Sequence, residues 1–110
     1  MADVDDSDNG APLGIQTRAD NAGAPVIAVS GDLDISSVER LRSAVAEVAA
    51  QRPEQLTFDV RELRFMDSAG IAVLLGAASS VPSVRLVNPT APVRRVIELT
   101  GLTDVLQVEP

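Results

Sequence analysis

The chain is predicted to adopt an α/β fold, a mixed and mostly parallel sheet of four to five strands with about three helices packed on it. Three observations predict this. Short apolar runs of strand length recur along the chain, bounded by Gly, Pro, Asn or Ser. Between them stand three segments whose apolar residues fall at helical spacing. The order is two strands first and then helix and strand in alternation, the pattern of parallel pairing through crossover helices. With 110 residues, 45% of them hydrophobic, the chain fits one domain with a single core.

Taken in order, Leu13-Gly14-Ile15-Gln16-Thr17 alternates weakly, as an edge strand does. A turn at Asn21-Ala22-Gly23-Ala24-Pro25 leads to the apolar run Val26-Ile27-Ala28-Val29, read as a covered strand. Gly31-Asp32-Leu33-Asp34 then leads into a helix. Ser36 with Glu39 matches a capping box, Val38, Leu41, Val45 and Val48 form the apolar stripe, and Pro53 closes the element. Leu56, Phe58 and Val60 alternate with Thr57 and Asp59 as the next strand. The second helix is expected to start at Ser68, to bury Ile71, Leu74, Leu75 and Ala78, and to end at Ser79-Ser80-Val81-Pro82. Val84 to Val87 form a further strand. Asn88-Pro89-Thr90 then turns the chain into a third helix with Pro92 in its first turn, Val93, Val96 and Ile97 on its apolar face and Gly101 at its end. Val105 to Val108 form the last strand.

Charge and inventory narrow the function. Net charge is −7, and Asp3, Asp5, Asp6 and Asp8 precede any basic residue, so residues 1–11 read as an acidic disordered tail and 12–110 as the folded domain. All nine basic residues are Arg. An acidic chain whose aromatic residues are Phe58 and Phe65 offers neither a basic stripe nor stacking rings, so no direct nucleic-acid contact is expected. Cys and His are absent, which removes Ser-His-Asp and Cys-His catalysis, thiol switching and the common zinc sites. No enzyme activity, cofactor or metal site is expected. No apolar run reaches the ~18 residues of a membrane span and the start lacks a signal-peptide pattern, so the expected location is cytoplasmic.

The stretch Asp67-Ser68-Ala69-Gly70 lies where a strand gives way to a helix. On general grounds Ser68 is an N-cap contributing roughly 1 kcal/mol, and its hydroxyl is expected among unpaired N–H groups that favour an anion. Asp67 beside it suits a positive helix terminus. Gly70 in the first turn is unfavourable by up to ~1 kcal/mol relative to Ala, and close approach of a partner or phosphate would account for it. Asp67 and Ser68 as base and nucleophile is the weaker alternative, because no residue is at hand to activate the hydroxyl or stabilise developing charge.

Three segments, in order and spacing, resemble the STAS-domain anti-sigma-factor antagonists of bacteria across most of residues 12–108. They are Gly31-Asp32-Leu33-Asp34, Phe65-Met66-Asp67-Ser68-Ala69-Gly70-Ile71, and Arg94-Arg95-Val96-Ile97-Glu98-Leu99-Thr100-Gly101-Leu102. The resemblance implies a STAS domain whose partner is an anti-sigma factor that is itself an ATP-dependent serine kinase. It implies that Ser68 is the phosphorylated residue and that Asp32, Asp34, Asp67, Ser68, Ala69, Gly70 and Ile71 meet the partner. The unphosphorylated form, a monomer, is expected to bind the anti-sigma factor and free a sigma factor. The chain departs from the family pattern in several places. Ala69 replaces a second serine, Asp32 stands where Glu is common, the second helix is short, and the sequence ends after the fifth strand. The alternative within the same fold is an accessory or scaffold subunit of a lipid-transport ABC complex or of a stress-signalling assembly.

Overall fold

The computed structural model describes residues 12–110, so the acidic tail expected over 1–11 lies outside the described residues. Five strands and three helices follow one another as β1 (Gly14–Ala19), β2 (Pro25–Leu33), α1 (Val38–Ala49), β3 (Gln55–Met66), α2 (Ser68–Ser80), β4 (Ser83–Val87), α3 (Ala91–Leu99) and β5 (Gln107–Glu109). A 3-10 turn, Leu102–Asp104, precedes β5. The strands lie side by side in chain order, with β1 antiparallel to β2 and every later pair parallel. Because each crossover moves the same way across the sheet and has the same hand, the three helices collect on one face. There they enclose one core that includes Ile27, Leu33, Leu41, Phe58, Leu63, Leu74, Leu86 and Ile97.

The opposite face carries ion pairs that span its strands, over a central Thr57 that is buried with its hydroxyl unpartnered. Arg85 forks onto Glu109 across β4 and β5, with Nε to Oε2 at 2.9 Å and Nη2 to Oε1 at 2.5 Å. Arg18 on β1 reaches Asp59 on β3 at 3.3 Å. β2 and β3, central in the sheet, are covered on both faces in their first halves, with Val26 and Ile27 buried in a row on β2 and Leu56, Thr57 and Phe58 on β3.

Four expectations need correction. β2 and β3 run well past the expected Val29 and Val60, because register shifts between Ala28 and Ser30 and again between Gly31 and Asp32 carry their pairing through to Leu33 and Met66. Such bulges break a period-2 pattern while keeping the ladder. The capping box at Ser36 and Glu39 does not form. The N-cap of α1 is Ser37, and its hydroxyl makes no cap hydrogen bond. The apolar stripe of α2 is turned about its axis, burying Gly70, Val73, Leu74 and Ala77 and leaving Leu75 exposed.

The last strand, expected from Val105 to Val108, forms over Gln107–Glu109 instead, because the Val105 and Leu106 N–H groups are held in a turn by the Leu102 carbonyl. The helices α1 and α3 follow their local signals. α1 buries Val38, Leu41, Val45 and Val48. It stops at Ala49, before Pro53, and the chain reverses through Arg52 at φ 55°. α3 starts after Thr90 with Pro92 in its first turn, and Gly101 takes the left-handed φ of 77° that ends the segment. The 3-10 turn then buries Leu102, and Leu106 is buried just before the short β5.

Candidate functional site at the carboxyl ends of β2 and β3

Leu33 and Met66, the last residues of β2 and β3, are register partners and both are buried. Each strand then turns into a helix, so two strand-to-helix junctions lie next to each other at this end of the sheet. A backbone bond joins them: the Asp67 N–H donates to the Leu33 carbonyl at 3.2 Å.

At the β3–α2 junction, Asp67 caps the helix in place of Ser68. Its backbone is extended at φ −107°, and its Oδ1 accepts from the Ala69 N–H at 2.9 Å. Its carbonyl accepts the first helical bond, from the Ile71 N–H at 3.2 Å. This corrects the expected cap: with Asp67 occupying that position, Ser68 becomes the first helical residue and is exposed. Among the described residues its hydroxyl makes no hydrogen bond, and the Ser68 and Gly70 N–H groups remain open donors of the first turn.

Gly70 is buried, for a reason other than close approach of a ligand. A Cβ there would meet Met66 Cγ at 2.6 Å and Leu33 Cδ2 at 2.8 Å. The missing side chain seats the first turn of α2 on the ends of β2 and β3. Ala69 and Ile71, half-buried, pack against the same core.

At the β2–α1 junction, Asp34 organises the loop. Its Oδ1 accepts the Ser36 hydroxyl at 2.6 Å and the Ser36 N–H at 2.9 Å. The Ser36 hydroxyl first, and then the neighbouring N–H groups and Ser37, hold the Asp34 carboxyl below its usual pKa. The Ser37 hydroxyl donates to the Asp32 carbonyl at 3.1 Å and accepts from the Asp34 N–H at 3.1 Å. The Asp32 carboxylate lies 4.0 Å from Arg64 Nε. Asp32, Asp34, Asp67 and Ser68 thus lie on the two adjacent junctions at one end of the fold, and of the three carboxylates Asp32 is the one within 4.0 Å of a guanidinium, that of Arg64.

Three residues at this end were not among the expected site residues. Arg64 is one. The other two are large and apolar: Ile35 is 80% exposed in the β2–α1 loop and Phe65 is 49% exposed near the end of β3. An isolated Ile between Asp34 and Ser36 was a legible signal. Phe65 was not, because its facing depends on the register shift that sets it opposite Asp32. Among the described residues, no three Asp or Glu side chains are grouped to hold a metal, and no helix is long and apolar enough to cross a membrane.

Residues 17–108 match the family model described as "Mlab, STAS domain". The chain belongs to the STAS domain family. This STAS chain is 32% identical over 95 residues to the anti-sigma-F factor antagonist RsfB of Mycobacterium tuberculosis, across 84% of this chain and 78% of that one. An anti-sigma factor antagonist from Mycobacterium paratuberculosis superposes with a TM-score of 0.83 at 27% identity, covering 89% of this chain and 86% of the other. The antagonist SpoIIAA in its unphosphorylated form superposes at 0.74 with 26% identity, over 86% and 87% of the two chains. The phosphorylated form of SpoIIAA from Bacillus does so at 0.68 with 25% identity, over 86% and 90%. These relatives set the STAS domain within the anti-sigma-factor antagonist family.

Proposed function

We propose that this STAS protein binds an anti-sigma factor while Ser68 is unmodified, so releasing a sigma factor, and is switched off when that anti-sigma factor phosphorylates Ser68. The observation that carries the reading is the exposed Ser68 hydroxyl, free of internal hydrogen bonds because Asp67 does the capping. That SpoIIAA exists in unphosphorylated and phosphorylated forms supports it.

In the transfer, the Ser68 oxygen attacks the γ-phosphorus of ATP held by the kinase. A new O–P bond forms, ADP leaves, and the hydroxyl proton passes to a base on the kinase. Ser68 is a substrate here and supplies no catalysis. The modified side chain carries about −1.5 to −2 charges. In the free protein the open N–H groups of Ser68 and Gly70 and the positive end of α2 favour that charge. In the complex the phosphate is desolvated without a partner, beside Asp67 and Asp34, at a cost on the order of 2–5 kcal/mol. That corresponds to roughly 30- to several-thousand-fold weaker binding with the fold unchanged.

The test is capture of partners from the host by wild type and by Ser68→Ala and Ser68→Asp variants, with the phosphosite mapped on native protein. Wild type and Ser68→Ala are expected to retain an anti-sigma factor and Ser68→Asp to lose it. Equal retention by Ser68→Asp, or recovery of ABC-transporter subunits instead, overturns the reading.

A further inference from the structure

The described residues leave five large apolar side chains exposed: Ile35, Phe65, Leu75, Leu99 and Val105. Leu99 ends α3 and Val105 follows the 3-10 turn, at the far end of the sheet from Ser68. Leu75 lies two turns along α2. Ile35 and Phe65 belong to the two junctions themselves, two positions after Leu33 and three before Ser68. Phe65 is the register partner of Asp32, and Leu33 and Met66 beside them point into the core. Alternation therefore sets Phe65 on the face of the sheet opposite the helices, while Ile35 projects from the loop leading to α1.

We infer that Ile35 and Phe65 are the two apolar anchors on which the partner docks, both at the end of the sheet that carries Ser68. The inference rests on the anti-sigma reading and deepens it. Side chains of this size, exposed on a rigid frame at the same end as a regulated residue, are of the kind that carries most of an interface's energy. Their neighbours are Asp32, Asp34 and Asp67, against one Arg64. The complementary surface is a protein face with two apolar sockets at its centre and Arg or Lys side chains at its rim, where they meet those carboxylates. Seating both anchors presses the partner onto Ser68 and drives water from it. The arrangement accounts for the force of the switch, since a phosphate near two filled apolar sockets loses solvent and adds to the charge of the neighbouring carboxylates.

The experiment titrates the purified anti-sigma factor, the one whose kinase activity labels Ser68, into wild type and into Ile35→Ser, Phe65→Ser, Phe65→Leu, Leu99→Ser and Ser68→Asp variants. Ile35→Ser and Phe65→Ser are expected to weaken binding by about 10- to 100-fold each. Phe65→Leu restores most of the affinity, Leu99→Ser stays near wild type, and binding weakens as salt rises. Thermal unfolding of each variant, expected to match wild type, separates lost contact from lost fold. Wild-type affinity for both serine variants, with Ser68→Asp still defective, overturns the anchors and leaves the function standing. Normal binding by Ser68→Asp as well overturns the function. Self-association of the free chain that Phe65→Ser abolishes assigns the anchors to a second copy and also overturns the inference.

Discussion

Two strand-to-helix junctions of similar composition stand side by side, and they use their serines in opposite ways. After β2, the Asp34 carboxylate binds Ser36, and Ser37 is tied to the Asp32 carbonyl. After β3, Asp67 spends its carboxylate on a backbone N–H of the helix, and Ser68 is left with a free hydroxyl. The third helical residue differs as well. In α1 it is Arg40, exposed, whose side chain donates to the Leu13 carbonyl at 2.7 Å. In α2 it is Gly70, buried against Leu33 and Met66. An Asp followed by serines is therefore no site by composition. What distinguishes the second junction is which donor the aspartate takes, and that leaves the Ser68 hydroxyl without an internal partner.

The comparison breaks or holds first on labelling. Incubation with the cognate kinase and ATP is expected to place phosphate on Ser68 alone. Ser68→Ala then abolishes incorporation, while Ser36→Ala and Ser37→Ala retain it, and mass-spectrometric detection of phosphate on Ser36 or Ser37 breaks the contrast. Next in size is the seat of α2. Gly70→Ala is expected to lower stability by about 1–3 kcal/mol in urea unfolding, through overpacking against Leu33 and Met66. Gly76, with nothing within 4 Å of an added Cβ, should tolerate Ala and gain up to ~1 kcal/mol from helix propensity. A Gly70→Ala protein as stable as wild type would remove the packing argument.

Loss of the capping carboxylate in Asp67→Ala should cost ~1 kcal/mol by the same unfolding measurement. Ser37→Ala, which breaks the bonds to the Asp32 carbonyl and the Asp34 N–H, should cost about 0.5–1.5 kcal/mol. Neither change should move the phosphorylation site. The smallest effect is on pH. Because the Ser36 hydroxyl and its companions lower the Asp34 pKa, the order Asp34 gives its loop is complete above the usual carboxylate pKa. It is lost as pH falls through the lowered value. Amide NMR shifts of Ser36 should report that titration, and Asp34→Asn should abolish it.

Much of this was legible beforehand because it is local. The stripe Val38, Leu41, Val45 and Val48 oriented α1 because charged residues mark its other face. Pro92 and Gly101 bounded α3 and its exit through fixed backbone preferences. α2 could not be oriented in the same way: its 13 residues carry no charge, so several rotations look alike. Contact with β3 and β4 chose among them, burying Gly70 and Ala77 and leaving Leu75 outside. The same holds for the last third of β3, where Arg61-Glu62 and Arg64-Phe65 read as broken alternation until pairing with β2 carries the strand through two register shifts.

The amino-acid sequence by itself determined the α/β class, the order of elements, the lack of Cys and His, and the position of Asp67-Ser68 at the head of a helix, because propensity, period and inventory act over a few residues. Tertiary structure decided that Asp67 and not Ser68 caps α2, that Gly70 is a packing residue, and that Phe65 faces outward opposite Asp32. Each of these depends on the carboxyl ends of β2 and β3 meeting, a contact between segments about thirty residues apart whose register no local pattern encodes.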